Sequence, residues 1–223
     1  MKRTQQLLSF PESSCFLVAK PTEKCYTTQI AYQKKGRKFR MAWELQKGRP
    51  QNCAERLAKE QRCYDLLDTL SIDYDRVDHP AAATMTDCDA VAETLGCGIC
   101  KNLFLCNRQK TAFYLLTMPA HKNFRTKELS GQLGVARLSF ADEGLLAELL
   151  DLTPGSVTVL GLMNDTEHKV RLLVDSDLQK PEYFACHPMI NTSSVRFKTS
   201  DLFAKLLPAV GHEPTFVELH GEE

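Results

Sequence analysis

The chain has 223 residues, of which 43% are hydrophobic and 25% are charged, and its formal net charge at pH 7 is zero. This composition is typical of a globular domain and excludes global disorder. No stretch reaches the roughly 18–20 apolar residues that a membrane-spanning helix needs, and the run LLSF near the start is too short for a signal peptide. We therefore expect a cytosolic protein that does not enter a membrane.

The zero net charge hides an asymmetry along the chain. Residues 1–50 hold eleven Lys/Arg and three Asp/Glu, a charge of +8, which leaves −8 for residues 51–223. The basic run AYQKKGRKFR has no hydrophobic face, so residues 1–50 are predicted to be a basic, disordered N-terminal extension. A basic arm that binds RNA, or translation from Met41, are the alternatives.

The nine cysteines do not predict a disulfide framework, because their number is odd and the chain is not small. Cys97 and Cys100 form a CxxC pair, but no second pair follows at zinc-site spacing, and the pair precedes a strand rather than a helix. A zinc or thiol redox protein is therefore the less favoured alternative. GxSxG and glycine-rich phosphate loops, which would indicate a serine hydrolase or a nucleotide hydrolase, do not occur.

A periodic pattern begins at residue 54. Helical spacing of apolar residues predicts helices at AERLAKEQRCYDLLDTL and DCDAVAETLG, with a strand at SIDYDRV between them. Two apolar strands, CKNLFLCN and TAFYLLTM, follow around the turn RQK. A short helix at FRTKELSGQLG, a strand at ARLSF and a helix at ADEGLLAELLDL complete this half.

The remaining sequence is predicted to be mostly strands. These are VTVLGLM, KVRLLVDSDL, EYFACHP and VRFKT, followed by the helix TSDLFAKLLPAVG and the strand FVEL. Helices and strands mix without strict alternation, which favours an α+β fold over a doubly wound parallel one. We predict one domain over residues 54–221, with a mixed, largely antiparallel curved sheet flanked by helices.

Polar residues stand out at the ends of two predicted strands. Lys101 and Asn102 begin an apolar strand, where the lysine either points into a cleft or extends from an edge into solvent. His187 and Pro188 end another strand, and Asn191 follows in a turn. From the residues alone, a His-Pro turn that closes a strand is the simpler interpretation.

Three segments in order, CKNLFLCNRQKTAFYLL, TPGSVTVLGL and ACHPMINTSSVRFKTSDLFAKLL, resemble the YbaK/prolyl-tRNA-synthetase-associated editing family, in particular its free-standing Ala-tRNA(Pro) deacylases. YDLLDTLSIDYDRVDHPAAATM is similar to the start of that family's domain, so the resemblance covers residues 58–219. It implies a trans-editing hydrolase that needs no metal or cofactor and acts on the acceptor end of tRNA(Pro), alone or with prolyl-tRNA synthetase. Such a second sieve hydrolyses an amino acid that is small enough to enter it.

The resemblance also implies roles for individual residues. Lys101 would orient the terminal adenosine or its phosphate, and Asn102 would hold the carbonyl or the amino acid. The residues implied in substrate binding are His187, Pro188, Asn191 and Gly161. Those predicted to contact tRNA are Lys122, Arg125 and Lys127. The alternatives are a deacylase of Cys-tRNA(Pro) or of another mischarged tRNA, or a non-catalytic module that binds tRNA or an amino acid. The negative charge of the domain is a poor match for tRNA.

Overall fold

The computed structural model describes residues 43–81 and 85–221, with the backbone alone for 85–87. The strands within these residues are β1 Gln46–Lys47, β2 Tyr74–Asp78, β3 Cys100–Cys106, β4 Phe113–Pro119, β5 Ser139–Phe140, β6 Val170–Asp175, β7 Tyr183–Cys186, β8 Ser193–Lys198 and β9 Thr215–Val217. The α-helices are α1 Ala58–Thr69, α2 Met85–Leu95, α3 Thr126–Leu133, α4 Glu143–Leu150 and α5, residues 199–209 with a π-helical centre. None of the helices in this part of the chain is long and apolar enough to cross a membrane.

The strands form two sheets. The first is antiparallel throughout, in the order β1-β2-β8-β7. The second has the order β5-β3-β4-β6-β9, in which β3 is antiparallel to both neighbours while β4, β6 and β9 run parallel. The predicted α+β fold with largely antiparallel pairing is confirmed. The predicted curved sheet is divided in two, and one parallel bridge between Ile99 and Ala185 connects the parts.

Apolar side chains cover both faces of β3. Because side chains alternate along a strand, Phe104 packs into the larger core with α1, α4 and the first sheet, while Leu105 packs into a second core beneath α3. Complete burial of such a side chain stabilises the fold by about 1.5–3 kcal/mol. The strand that begins with the predicted catalytic residues is therefore held from two sides.

One predicted strand is wrong. VTVLGLM forms a 3-10 helix, Val159–Asn164, instead of a strand. The Thr158 hydroxyl oxygen accepts a hydrogen bond from the Leu160 amide at 3.3 Å, and the Thr158 carbonyl accepts one from Gly161, which turns the chain. Residues 159–162 are all buried, and an apolar run without alternation does not distinguish a buried strand from a buried helix.

The folded part of the chain starts before the predicted boundary at residue 54. Strand β1 lies within the predicted extension and pairs with β2. The Arg49 guanidinium also contacts Asp65 at 2.6 Å and Asp68 at 2.8 Å, both on α1. The predicted disorder of residues 1–42, which include the basic run AYQKKGRKFR, lies outside the described residues.

Candidate active site

The bridge between Ile99 and Ala185 places the start of β3 beside the end of β7, running in the same direction. Lys101 and His187 each lie two residues beyond their bridge residue. In a parallel register they therefore occupy corresponding positions, one on each sheet. The predicted catalytic lysine and the predicted substrate-binding histidine therefore each lie two residues beyond the bridge that joins the sheets.

A backbone carbonyl fixes the Lys101 ammonium. Lys101 Nζ donates a hydrogen bond to the carbonyl oxygen of Lys122 at 2.8 Å, and the lysine side chain is partly buried. Within residues 43–81 and 85–221, no carboxylate lies within 4.0 Å of this ammonium. An ammonium carries three donors, so two N–H groups have no acceptor among the described residues and are available to a ligand.

Lys122 itself is engaged inside the protein. Its Nζ lies 2.9 Å from both carboxylate oxygens of Asp175 and 2.7 Å from Asp177. Burial alone would lower the pKa of the Lys122 ammonium, but hydrogen bonds to Asp177 and Asp175 raise it above its ordinary value. The predicted tRNA contact at Lys122 is therefore not supported. The ion pair instead holds the backbone carbonyl that positions Lys101.

Asn102 lies on the opposite face of β3 from Lys101, as alternation along a strand requires. Thr117 on β4 donates its hydroxyl proton to Asn102 Oδ1 at 2.8 Å, while Asn102 Nδ2 is 3.4 Å from the Cys100 carbonyl. The short bond orients the amide, and the long one leaves Nδ2 with donor capacity. The sequence pattern did not indicate Thr117, because it is a single polar residue within an otherwise apolar strand.

His187 is half-buried at the end of β7. Its Nδ1 is 3.0 Å from the Ser193 carbonyl oxygen and 3.3 Å from the Ser194 hydroxyl. Burial lowers the pKa of His187 below its ordinary 6.5, and the nearby His79 lowers it further. The ring is therefore neutral at neutral pH. His79 and Ser194 were not among the predicted site residues, although His79 shares with His187 a following proline.

Two loops close the site next to His187. Pro188 is buried at the start of the first loop, and Asn191 lies further along it. Asn191 Nδ2 is 3.6 Å from the position that a Cβ on Gly155 would occupy, so the second loop, with its TPGS turn, contacts the first. The role of Pro188 and Asn191 in substrate binding stays a prediction.

Gly161 packs into the core beneath α4. A Cβ at Gly161 would lie 2.7 Å from Leu152 Cδ1 and 3.3 Å from the Leu150 carbonyl oxygen. Gly161→Ala is therefore expected to lower the free energy of unfolding by about 1–3 kcal/mol. Urea denaturation of the purified protein measures this loss.

Gly131→Ala is the matched control, because nothing lies within 4 Å of a Cβ at that helical position. It should be neutral or stabilise α3 by about 0.5–1 kcal/mol, since alanine is the better helix former. If Gly161→Ala is as stable as the wild type, the core contact is wrong and Gly161 is available to line the amino-acid pocket.

The basic residues near α3 form an open surface cleft beside the Lys101 anchor. Arg125 and Lys127 line it together with Arg137, Thr126 and Ser130. The three cations are exposed, and none has an ion-pair partner in the part of the chain that the structure describes. Residues 119–125 connect this cleft to the carbonyl that holds Lys101. We define the basic patch as Arg125, Lys127 and Arg137. Lys122 lies outside the patch, and contact of any of these residues with tRNA stays a prediction.

The thiols at the junction are poor nucleophiles. Cys100 and Cys186 are adjacent to the bridge residues, and burial raises the pKa of Cys186 to about 12 and that of Cys100 further still. Both are therefore protonated at neutral pH. Within the residues described, no group of three or more His, Cys, Asp or Glu side chains is arranged to hold a metal ion.

Comparison with known proteins connects this geometry to a family. The aminoacyl-tRNA editing domain model matches residues 79–205, a segment that contains Lys101, Asn102 and His187. Prolyl-tRNA editing protein ProX of Acetoanaerobium sticklandii is 31% identical over 153 residues, which cover 69% of this chain and 93% of that protein. Prolyl-tRNA synthetase associated domain-containing protein 1 of Danio rerio is 30% identical over 69% of this chain and 83% of its own length.

A solved structure of similar fold is described as a candidate trans-editing enzyme for prolyl tRNA synthetase. It superposes with a TM-score of 0.55 at 16% sequence identity, over 74% of this chain and 98% of its own. At this identity the likeness concerns the fold alone. Together with the match to the family model, the 31% identity to ProX shows that this chain belongs to the aminoacyl-tRNA editing domain family.

Proposed function

We propose that the protein is an aminoacyl-tRNA deacylase that acts in trans on Ala-tRNA(Pro). The observation that carries this proposal is that an ammonium with no carboxylate partner among the described residues and a neutral imidazole each lie two residues beyond the bridge between the sheets. Such a pair suits a ligand that combines phosphate, an ester carbonyl and a free amino group. The aminoacyl end of a tRNA has all three.

The chemistry is hydrolysis of the ester between the amino acid and the terminal ribose. Water attacks the carbonyl carbon, negative charge develops on the carbonyl oxygen, and the ribose oxygen leaves. Asn102 Nδ2, oriented by Thr117, would donate to that oxygen, and Lys101 would bind the phosphate or the terminal adenosine. We assign no side chain as general base; the family resemblance gives the positioning of the water to the ribose hydroxyl.

Selection of the amino acid would depend on the wall formed by Pro188 and Asn191. A pocket discriminates one methylene by only about 1–3 kcal/mol, so a site that removes alanine works by excluding the larger proline. The side chain of alanine is the smallest after glycine, and the contact of Asn191 with the TPGS turn would narrow this side of the proposed site.

The basic patch would contact the phosphates of the acceptor stem. The double variant Arg125→Glu with Lys127→Glu is expected to raise KM for Ala-tRNA(Pro) about tenfold and to reduce the salt slope of binding by about 2, because two phosphate contacts are lost. Steady-state deacylation at several salt concentrations measures both quantities, and kcat should change less than KM.

Arg108→Glu is the control for charge. Arg108 is exposed in the β3–β4 turn, at the opposite end of β3 from Lys101, so its reversal changes the net charge without touching the cleft. An equal rise in KM for Arg108→Glu would show a general effect of charge. No rise for the double variant would place the tRNA elsewhere.

The proposed function is tested with a panel of Ala-, Cys-, Ser- and Pro-tRNA(Pro) incubated with the purified protein. Loss of the alanyl ester with retention of the prolyl ester is the expected result. Selective loss of the cysteinyl ester would keep the reaction and change the amino acid. Retention of all four esters would overturn the proposal in favour of a module that binds tRNA or an amino acid without hydrolysis.

A further inference from the structure

A continuous line of hydrogen bonds runs behind His187. The Ser194 hydroxyl lies 3.3 Å from His187 Nδ1 and 2.9 Å from His79 Nε2, and His79 Nδ1 lies 2.8 Å from the Pro80 carbonyl oxygen. His79 and Ser194 are buried. The pairing of β2 with β8 brings them together, because Val77 opposes Ser194 and the His79 amide bonds to the strand end at Thr192.

The carbonyl oxygens of Pro80 and Ser193 determine which ring nitrogen carries the proton in each histidine. A carbonyl only accepts, so His79 Nδ1 carries a proton for Pro80, and in the neutral form of the ring Nε2 then accepts. The Ser194 hydroxyl therefore donates to His79. The Ser193 carbonyl likewise requires a proton on His187 Nδ1, and the Ser194 oxygen, whose proton points to His79, accepts from that same N–H.

The proton on Nδ1 determines the state of the other ring nitrogen of His187, Nε2. A neutral ring with its proton on Nδ1 has a lone pair on Nε2. Among residues 43–81 and 85–221, no hydrogen-bond partner occupies that nitrogen. Since Lys101 lies at the corresponding position on β3, Nε2 is an acceptor at the same junction where the ammonium is a donor.

At neutral pH, the neighbouring ionisable groups would not move the proton away from His187 Nδ1. His187 stays neutral because its burial lowers its pKa, and the His79 ring centroid lies 6.1 Å from that of His187. On α1, the Tyr64 hydroxyl is 3.4 Å from the Ser193 hydroxyl and donates to Glu60, and burial raises the pKa of that tyrosine. Tyr64 is therefore uncharged.

We propose that Ser194 and His79 are positioning residues that hold His187 with its proton on Nδ1, so that Nε2 accepts a hydrogen bond from the α-ammonium of the aminoacyl ester. This inference rests on the proposed function for its ligand, and on the hydrogen bonds alone for the proton positions. His79 is the more important of the two residues. Its Nε2 accepts the Ser194 hydroxyl proton, so that this proton does not point to His187.

The first test reads the proton positions by NMR without tRNA. Two-bond ¹H–¹⁵N correlation spectra of the full-length ¹⁵N-labelled protein are expected to show His187 protonated on Nδ1 above its pKa. His79→Phe keeps a ring but frees the Ser194 proton to turn to His187, so a measurable share of His187 should become protonated on Nε2. His79→Gln offers an amide oxygen in place of Nε2 and should restore the wild-type spectrum.

The second test measures deacylation of Ala-tRNA(Pro) by the same variants. His79→Phe should raise KM about tenfold with little change in kcat, and His79→Gln should stay within about twofold of the wild type. If His79→Phe does not fold, as judged by its backbone amide spectrum, Ser194→Ala takes its place with the same expected shift and the same rise in KM.

The outcomes separate the two proposals. His187 protonated on Nε2 in the wild type, or an unchanged spectrum and KM in His79→Phe, overturns the positioning role while deacylation by the wild type still supports the proposed function. A wild type that shows the expected proton positions but hydrolyses no aminoacyl-tRNA overturns the proposed function, and with it the contact to the α-ammonium.

Discussion

Lys101→Ala is expected to lower kcat for the deacylation of Ala-tRNA(Pro) by about 10²–10³-fold, the usual effect of removing one preorganised electrostatic contact to a transition state. The Lys101 ammonium is held by a neutral carbonyl and has no carboxylate partner within the described residues, so its charge is available to the substrate. The same feature makes the substitution mild for the fold, since it removes one hydrogen bond and little buried apolar area.

Single-turnover rates measure the loss of activity, and urea denaturation checks that the variant remains folded. Lys110→Ala is the matched control, because Lys110 lies on the same hairpin but is exposed and bound to Asp142 at 2.6 Å. Its activity should equal that of the wild type. Wild-type turnover by Lys101→Ala would remove this lysine from the catalytic site and with it the central contact of the proposed mechanism.

Asp175→Ala is expected to lower the free energy of unfolding by about 3–5 kcal/mol, as is usual when one partner of a buried ion pair is removed. Asp175 is 1% exposed and Lys122 is 10% exposed, so the ammonium would lose a bidentate partner in a place that water hardly reaches. The Asp177 amide would also lose its acceptor. Because the Lys122 carbonyl anchors Lys101, kcat should fall in the fraction that remains folded.

Asp177→Ala is the control for Asp175→Ala, because it removes the same charge from a carboxylate that is exposed instead of buried. Asp177 contacts the same ammonium at 2.7 Å, but its side chain is 41% exposed, so water can replace it. We expect a much smaller loss of stability than for Asp175→Ala, and kcat close to that of the wild type. Equal losses for the two variants in urea denaturation would contradict the structural role assigned to the buried pair.

Local patterns predicted much of the fold. Helical periodicity located α1 and α4, and apolar runs on either side of a polar turn located β3 and β4. The strand predicted at VTVLGLM was wrong because the prediction relied on a continuous apolar run. A run that is buried on all sides has no period, and the choice between a strand and a 3-10 helix depends on the Thr158 turn and on the neighbours it packs against.

The division into two sheets and the position of β1 depend on pairings between distant parts of the chain. Gln46 pairs with Arg76, and Ile99 with Ala185, and neither contact has a signature in its own neighbourhood. The sequence therefore predicts the class of fold but not the junction at which the candidate site forms.

The hydrogen bonds and ion pairs of the candidate site likewise join distant parts of the chain, which local sequence patterns do not reveal. Lys101 and His187 were predicted through the family resemblance, and the structure places each of them two residues beyond the bridge between the sheets. Lys122 looked like one of several surface cations because Asp175, its partner, is 53 positions away. Ser194 and His79 are 115 positions apart, so their hydrogen bond becomes visible only when β2 and β8 pair.

The bridge between Ile99 and Ala185 has a consequence for how specificity diverges among such proteins. Because each sheet carries one of the two principal side chains, the gap between Lys101 and His187 varies with the angle at which the sheets meet. On the proposed function, we expect a substitution at the Ile99–Ala185 contact, or in the apolar cluster around Val91 and Leu95 on α2, to change that angle without altering a residue proposed to touch the substrate. We therefore expect that relatives with the same side chains in the site would be able to accept amino acids of different size.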